Sequence, residues 1–468
     1  MTPRTARTAT VGLIGLGAMG RNLGWRLDEL DMPLAVYSYD GSEIDRFATG
    51  TVSGVVAATS PADLVRQLAR PRTILLMVTA GAAVDRVIAD LAPLLDAGDV
   101  VVDGGNSHFR DTIRRRAELG AHGIGFVGAG ISGGEAGARH GASIMAGADA
   151  AVYAGVRPVL EALAARNGDS VCAARVGPDG AGHFVKMVHN GIEYALMQLI
   201  AETWRTMTDV LGWDRPRQRA AFQHIQRGPA AGYLTGITAE ILATPDPDGD
   251  GDLLDRIADR AAQKGTGRWT MEAALELGVP IPAITAAVSE RMISAGDRHT
   301  HRASARPPEA PPVDLRVEDL EAALLAGFIA SFSQGFALLA AASEAYGWRL
   351  DLATVARIWQ GGCIIRTDLL GHAETAFRST PGSTTLLEAD PFRAQLASAE
   401  PPWRALLAAN IAAGTTPPCT AAALAWYDSL GAARLPTRLI QAQRDYFGAH
   451  GFERTDRPGT FHGPWKRS

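Results

Sequence analysis

In the run Gly182-His183-Phe184-Val185-Lys186-Met187-Val188-His189-Asn190-Gly191-Ile192-Glu193-Tyr194, four residues able to move protons or hold a polar substrate recur on one side. At about 100° per residue of helix, Lys186, His189, Asn190 and Glu193 share a stripe, while Met187, Val188, Ile192 and Leu196 project elsewhere. A buried lysine whose pKa falls can act as a base near neutrality, and a carboxyl whose pKa rises can return a proton. A solvated polar face with an ordinary salt bridge would show the same spacing. Composition sharpens the choice: of 45 basic residues only Lys186, Lys264 and Lys466 are lysines. A G+C-rich coding bias exchanges lysine for arginine wherever either charge serves, so a surviving lysine marks a place where arginine would not serve.

Lys264 lies in Gln263-Lys264-Gly265-Thr266-Gly267-Arg268-Trp269-Thr270, a glycine-loosened basic loop in which backbone N–H groups, a point charge and a hydroxyl suit an anion such as phosphate. The spacing is not that of a nucleotide P-loop, which argues against ATP. Gly15-x-Gly17-x-x-Gly20 follows an apolar run and precedes a helical pattern, the context in which glycines make a tight turn against a dinucleotide pyrophosphate. Asp103-Gly104-Gly105-Asn106-Ser107 and Ser132-Gly133-Gly134 follow further strand patterns, at the strand ends where a doubly wound sheet binds ligands; plain turns would look alike. Asp246, Asp248, Asp250 and Gly251 match the start of a calcium loop, but Ile257 holds the position that needs glutamate, so the segment reads as an acidic surface loop and no metal is expected.

These residues need elements to hold them. The runs from Val11, at 34–38, at 73–78 and at 100–105 read as buried strands separated by helix-length segments, and 125–130 and 142–148 extend the pattern to about residue 177. Such alternation predicts a parallel sheet wound on both sides. From Gly180 long apolar or amphipathic helices are predicted, including 183–212, 278–295 and 317–346, interrupted by loops at 245–252 and 304–315. The expected organisation is an α/β domain over 1–178, a large all-α domain over 179–440, and an extended tail over 441–468 that is Gly- and Pro-broken yet rich in aromatics.

Over 468 residues, 47% hydrophobic and 20% charged, the balance is that of a globular chain with large cores. A net charge of −5 gives no bulk attraction to nucleic acid. No apolar run is read as long enough to span a membrane, and no leader is recognised at Met1–Thr10, so neither membrane attachment nor secretion is expected. Cys172, Cys363 and Cys419 are odd in number and widely spaced, which fits a reducing cytoplasm.

Six segments, 103–115, 128–147, 177–194, 263–270, 359–370 and 434–450, resemble in order the motifs of the decarboxylating 6-phosphogluconate dehydrogenases. The resemblance implies a Rossmann-like N-terminal domain, a helical second domain, and a homodimer whose C-terminal tail enters the partner's site. It implies oxidative decarboxylation of 6-phospho-D-gluconate to D-ribulose 5-phosphate and CO2 in the pentose phosphate pathway, with reduction of NAD or NADP. By motif match Lys186 is the base, Glu193 the acid, and Asn190 and His189 orient substrate or cofactor. Asn106, Ser132, Gly133, Gly134, Tyr194, Lys264, Thr266 and Arg291 would bind substrate, joined by Arg444 and His450 of the other subunit. Gly15, Gly17, Ala18, Met19, Gly20, Ser38, Tyr39, Asp40, Val78 and Asn106 form the expected cofactor set.

The chain departs from that pattern in three places. GLGAMG stands for the usual GLAVMG, GAHGFE and FHGPW replace the tail's GAHTYE and FHTxW, and Ser38-Tyr39-Asp40 replaces Asn-Arg-Thr. Asp40 falls where a dinucleotide fold places the carboxylate that binds the ribose hydroxyls, so NAD is favoured over NADP. Two rival readings remain: a paralogue oxidising another phosphorylated or acidic β-hydroxy acid, and an inactive nucleotide-binding scaffold.

Overall fold

The computed structural model describes residues 8–50, 54–263, 265–296 and 314–465. Lys264, Lys466 and most of the 304–315 segment therefore lie outside the described residues. Apolar runs supply one eight-stranded sheet: β1 (Val11–Ile14), β2 (Leu34–Tyr37), β3 (Val56–Ala57), β4 (Thr73–Leu76), β5 (Val100–Asp103), β6 (Gly125–Ser132) and β7 (Ser143–Gly147). A short hairpin, β8 (Arg166–Asn167) and β9 (Ser170–Val171), precedes the last sheet strand, β10 (Ala173–Gly177). The order across the sheet is β10-β7-β6-β5-β4-β1-β2-β3. Between the strands run α1 (Ala18–Glu29), α2 (Gly41–Ala48), α3 (Pro61–Gln67), α4 (Ala82–Leu91), α5 (Phe109–Gly120), α6 (Gly134–His140) and α7 (Ala150–Leu163).

The sheet is not wholly parallel. β7 runs antiparallel to β6, pairing Gly128 with Gly147 and Ser132 with Ser143. The cause is chain length: a parallel return needs a crossover of a dozen or more residues, and the chain from Ser132 reaches Ser143 through the seven-residue α6 and little else.

The second half is built on α8 (Ala181–Arg205), which packs against β6, β7 and β10 at one end and against helices at the other. It is followed by α9 (Arg215–Ile225), α10 (Tyr233–Ile241), α11 (Thr266–Glu276), α12 (Pro282–Ala295), α13 (Val317–Ala345), α14 (Leu352–Ile358), α15 (Leu369–Ser379), α16 (Phe392–Ala412) and α17 (Pro418–Gly431). The single helix expected over 278–295 begins instead at Pro282, because Gly278 adopts a left-handed φ of 67° and Pro282 sits in the first turn of α12.

One sequence reading is corrected by α13, which is long and apolar enough to cross a membrane. It does so by composition only: its most apolar stretch is 89% buried, packed among α8, α12, α16 and α17 as the central helix of the larger core. The tail comprises α18 (Thr437–Gly448) and a hairpin of β11 (Phe452–Glu453) and β12 (Thr460–Phe461). Residue 441, the expected start of the tail, thus falls inside a helix.

Candidate active site

At the end of β1 the chain turns at Gly15, with φ of 94°, so closely that a Cβ there would stand 2.5 Å from the Met77 carbonyl oxygen. A Cβ on Gly20 would strike the Gly15 carbonyl. These two glycines close the turn onto α1, while Gly17 faces open space bounded by Glu43. Gly17 caps α1 without a side-chain partner, so the helix's free N–H groups and its positive dipole end stay available to an anion. With Ser38, Tyr39, Val78 and Arg86, Gly15 and Gly17 line one cavity. A backbone cradle that only glycine permits, beside an apolar and partly charged wall, fits a dinucleotide; Ala18 and Met19 form the first turn of α1 beneath it. Asn106 is exposed just beyond β5.

Asp40, expected to face the ribose, lines the same cavity and also caps a helix. Its Oδ1 accepts the Ser42 N–H at 2.9 Å and caps α2, and those bonds hold its carboxyl below the ordinary value. Tyr39 donates its hydroxyl to Asp90 Oδ2 at 2.6 Å, so the Tyr39 hydroxyl and one Asp40 oxygen are already engaged at the cavity edge.

The predicted stripe on α8 is present, with Lys186, His189 and Asn190 buried and Glu193 partly exposed. Lys186 Nζ donates to Asn190 Oδ1 at 2.6 Å and stands 3.3 Å from His189 Nδ1, which is itself 3.1 Å from that Oδ1. His189 Nε2 lies 3.1 Å from Ser132 Oγ, and its Nδ1 lies 3.8 Å from Glu193 Oε2. Lys186 is 6% exposed and His189 0%, which dismisses a solvated face. Burial lowers the Lys186 pKa, opposed by the Glu193 carboxylate; burial and the neighbouring lysine push His189 well down; burial raises Glu193, opposed by Lys186 and Arg291. The result is a neutral imidazole between a lysine ready to lose a proton and a carboxyl ready to keep one. If Asn190 Oδ1 accepts from both Lys186 and His189 Nδ1–H, then Nε2 accepts from the Ser132 hydroxyl, which fixes the tautomer.

The sheet positions this stripe. β6 passes under α8 at Gly130, where a Cβ would collide with that of Lys186. β6 ends at Ser132, and Gly133, with φ of 142°, turns so tightly that a Cβ would strike the Gly362 carbonyl; Gly134 then starts α6. Beyond Glu193, the Arg291 guanidinium stacks 3.6 Å from the centre of the buried Tyr194 ring, and Thr266 opens α11. Arg444 and His450 are not beside Lys186 in the single chain: Arg444 bonds Gln441, and His450 packs edge-on to Phe447 within the tail.

Several contributors escaped the sequence reading. The Trp359 ring meets His189 edge-on at 5.6 Å, and the buried Cys363 thiol, pushed up to about 12 by burial, feels the Lys186 charge. Arg115, wholly buried, bonds Asp85 and the Gly81 carbonyl after β4, and Asp103 and Ser107 around the Asn106 loop, tying the two loops together. The 359–370 segment flagged Trp359 and Cys363 only as motif members, and an arginine among 42 gives no signal by itself.

Two family profiles match, described as the NAD binding domain of 6-phosphogluconate dehydrogenase over residues 10–177 and the 6-phosphogluconate dehydrogenase C-terminal domain over 182–465. Among relatives, the decarboxylating 6-phosphogluconate dehydrogenase of Treponema pallidum is 44% identical over 98% of this chain and 97% of its own length. The NADP(+)-dependent decarboxylating enzyme of Bacillus subtilis is 42% identical over 98% and 99%. A solved structure of Plasmodium falciparum 6-phosphogluconate dehydrogenase, described in apo form and with NADP+ or 6-phosphogluconate, superposes with a TM-score of 0.92, covering 98% of this chain and 100% of that one at 34% identity.

Proposed function

The chain belongs to the 6-phosphogluconate dehydrogenase family, and from that premise we propose how its own residues carry the reaction. The activity is the oxidative decarboxylation of 6-phospho-D-gluconate to D-ribulose 5-phosphate and CO2. The observation that carries the residue assignment is the buried Lys186–His189–Asn190–Glu193 stripe facing Ser132.

Lys186, its pKa lowered by burial, acts as the base and removes the proton of the substrate's C3 hydroxyl. A bound nicotinamide supplies the acceptor for the C3 hydride. Lys186, now an ammonium, donates to the new C3 ketone, and that polarisation lets the C1–C2 bond break with loss of CO2. The electron pair left behind forms an enediol. Glu193, its pKa raised by burial, acts as the acid and delivers its proton to the carbon that becomes C1 of the product, while Lys186 takes back the enediol hydroxyl proton. The pair ends with one proton moved from Glu193 to Lys186 and resets by exchange between them.

Asn190 and His189 orient the lysine, Ser132, Gly133, Gly134 and Asn106 face the sugar acid, and Tyr194, Lys264, Thr266 and Arg291 hold the phosphate end. The tail supports a homodimer with shared sites: α18 leaves Leu439, Ile440, Tyr446 and Phe447 uncovered, a surface suited to a second copy that would receive Arg444 and His450. Cys172, Cys363 and Cys419 are free and buried, in keeping with the cytoplasm.

For the cofactor, the Bacillus subtilis relative is named NADP(+)-dependent and the Plasmodium falciparum structure is described with NADP+, whereas this chain lacks the arginine after β2 that would meet a 2′-phosphate. Its cavity presents Asp40, Glu43 and Asp90 against Arg86. This balance favours NAD. The test of function is incubation with 6-phosphogluconate and either cofactor while reduced cofactor and CO2 are followed together. Equal release of both is expected; reduction without CO2 would reassign the chain to a different β-hydroxy acid, and neither signal would mark it as a scaffold.

A further inference from the structure

Glu43, on the first turn of α2, does not point to solvent as its place beside a helix cap suggests. Its Oε2 accepts the backbone N–H of Leu16 at 3.1 Å and the Ser38 hydroxyl at 2.6 Å. One carboxylate thereby bridges the glycine turn after β1 and the end of β2, the two junctions between which an adenosine ribose is held in this type of fold. The other oxygen, Oε1, takes no hydrogen bond from a described residue and faces Gly17, from whose Cβ position it would stand 3.6 Å. Asp40 lines the same cavity, but its one hydrogen-bonded oxygen is held to the Ser42 N–H as the cap of α2, and no described residue of the glycine turn bonds it. The nearby cation on α2, Arg46, is spent on the Ser42 carbonyl and hydroxyl.

We propose that Glu43, and not Asp40, is the residue that selects the dinucleotide: Glu43 Oε1 accepts from the ribose hydroxyls of a 2′-unphosphorylated adenosine and repels a 2′-phosphate. The bonds from Leu16 and Ser38 fix the carboxylate, so a dianion cannot swing it aside without leaving a backbone N–H at the turn unpaired. A fixed like charge across a partly buried gap acts against one ligand and not the other, which is how specificity arises. Ser38 is the positioning residue, holding the carboxylate without touching the ribose.

This assignment deepens the NAD reading and rests on it, so the test separates them. Dissociation constants for NAD and NADP, and for the fragments 5′-AMP and 2′,5′-ADP, are measured by calorimetry on the full-length wild type, Glu43→Gln and Asp40→Asn. Glutamine keeps an acceptor for Leu16 and Ser38, and thermal melting checks the fold of each variant. The wild type is expected to bind NAD and 5′-AMP more tightly; Glu43→Gln is expected to lower that discrimination by about tenfold or more, with Asp40→Asn changing it less than threefold. Discrimination retained in a folded Glu43→Gln overturns the role of Glu43 while leaving the NAD preference standing. A wild type that prefers NADP and 2′,5′-ADP overturns the NAD reading, and a further gain for NADP in Glu43→Gln would still uphold the repulsion.

Discussion

Lys186 Nζ lies 2.6 Å from Asn190 Oδ1, one turn further along the same buried helix, and this bond aims the only described lysine of the chain across the end of β6. The amide accepts a proton's hydrogen bond without supplying charge, so it orients the amine and leaves its basicity to burial.

Replacing that lysine by arginine keeps the positive charge but removes the removable proton. Lys186→Arg is therefore expected to lose about 10²- to 10⁴-fold in kcat, the usual contribution of a general base, while the dissociation constant for the cofactor stays within a few-fold. Retention of a tenth of wild-type kcat would exclude Lys186 as the base.

Glu193 is the proton donor of the pair. Lys186 is active only when deprotonated and Glu193 only when protonated, so kcat/KM falls as pH drops through the lysine's titration and again as pH rises through the carboxyl's, which burial raises. Glu193→Gln keeps a neutral side chain beside the lysine but removes the donor. kcat is expected to fall by about 10²-fold or more, with the acid limb of kcat/KM not moving to lower pH. An acid limb that moves to lower pH would mean that an ionised Glu193 supports the lysine's charge in the active enzyme and contradicts its role as the acid.

Gly130 is the floor beneath Lys186. An added methyl there meets Lys186 Cβ and the Gly182 carbonyl, so Gly130→Ala must displace either α8 or the lysine's stem. Overpacking of this kind costs about 1–3 kcal/mol of stability, whereas misplacing a reacting group by about 1 Å costs roughly 100-fold in rate. Thermal melting and kcat together are expected to show a modest loss in the first and a large loss in the second; full activity in the alanine variant would mean that the lysine's position is set elsewhere.

The Lys186–His189–Asn190–Glu193 stripe was legible because all four residues lie within eight positions of one helix, where spacing maps directly onto a face. Gly130, Trp359 and Cys363 come from segments far along the chain, and no local period relates them to Lys186. The reversal of β7 was hidden because an apolar strand reads the same in either direction; only the shortness of α6 betrays it. The capping role of Asp40 was overlooked although a signal was present: Asp40-Gly41-Ser42-Glu43 has the spacing of a helix cap, which competes for the same carboxylate. α13 was missed as an apolar span because its scattered serines, glutamine and glycines break the run by eye while its average stays high.

Asp445 organises the tail. Its fully buried carboxylate accepts from the Gly451 and Gly463 backbone, from His462 Nδ1 at 2.6 Å and from Trp465 Nε1 at 2.6 Å, and these bonds hold its pKa far below the ordinary 3.8. A depressed carboxyl stabilises above its unfolded pKa, and that contribution is lost as pH falls from about 4 toward the folded value. Asp445→Ala is expected to expose the amides of Gly451 and Gly463 to rapid hydrogen exchange at neutral pH while the sheet domain stays protected. Unchanged protection of the tail would show that other contacts fold it.

If the tail serves the neighbouring subunit, damage to the tail and damage to the lysine must complement each other. In a dimer of Arg444→Ala with Lys186→Arg, one site combines the intact lysine of the first chain with the intact tail of the second, and the other site carries both defects. Random re-pairing of equal amounts yields half mixed dimers, each with one sound site, so activity is expected to rise from near zero to about a quarter of the wild type for a two-fold dimer. Subunit exchange is checked independently by mass spectrometry of differently tagged chains. If mixed dimers form and activity stays at background, Arg444 acts within its own chain, and the exposed apolar face of α18 must be covered in some other way.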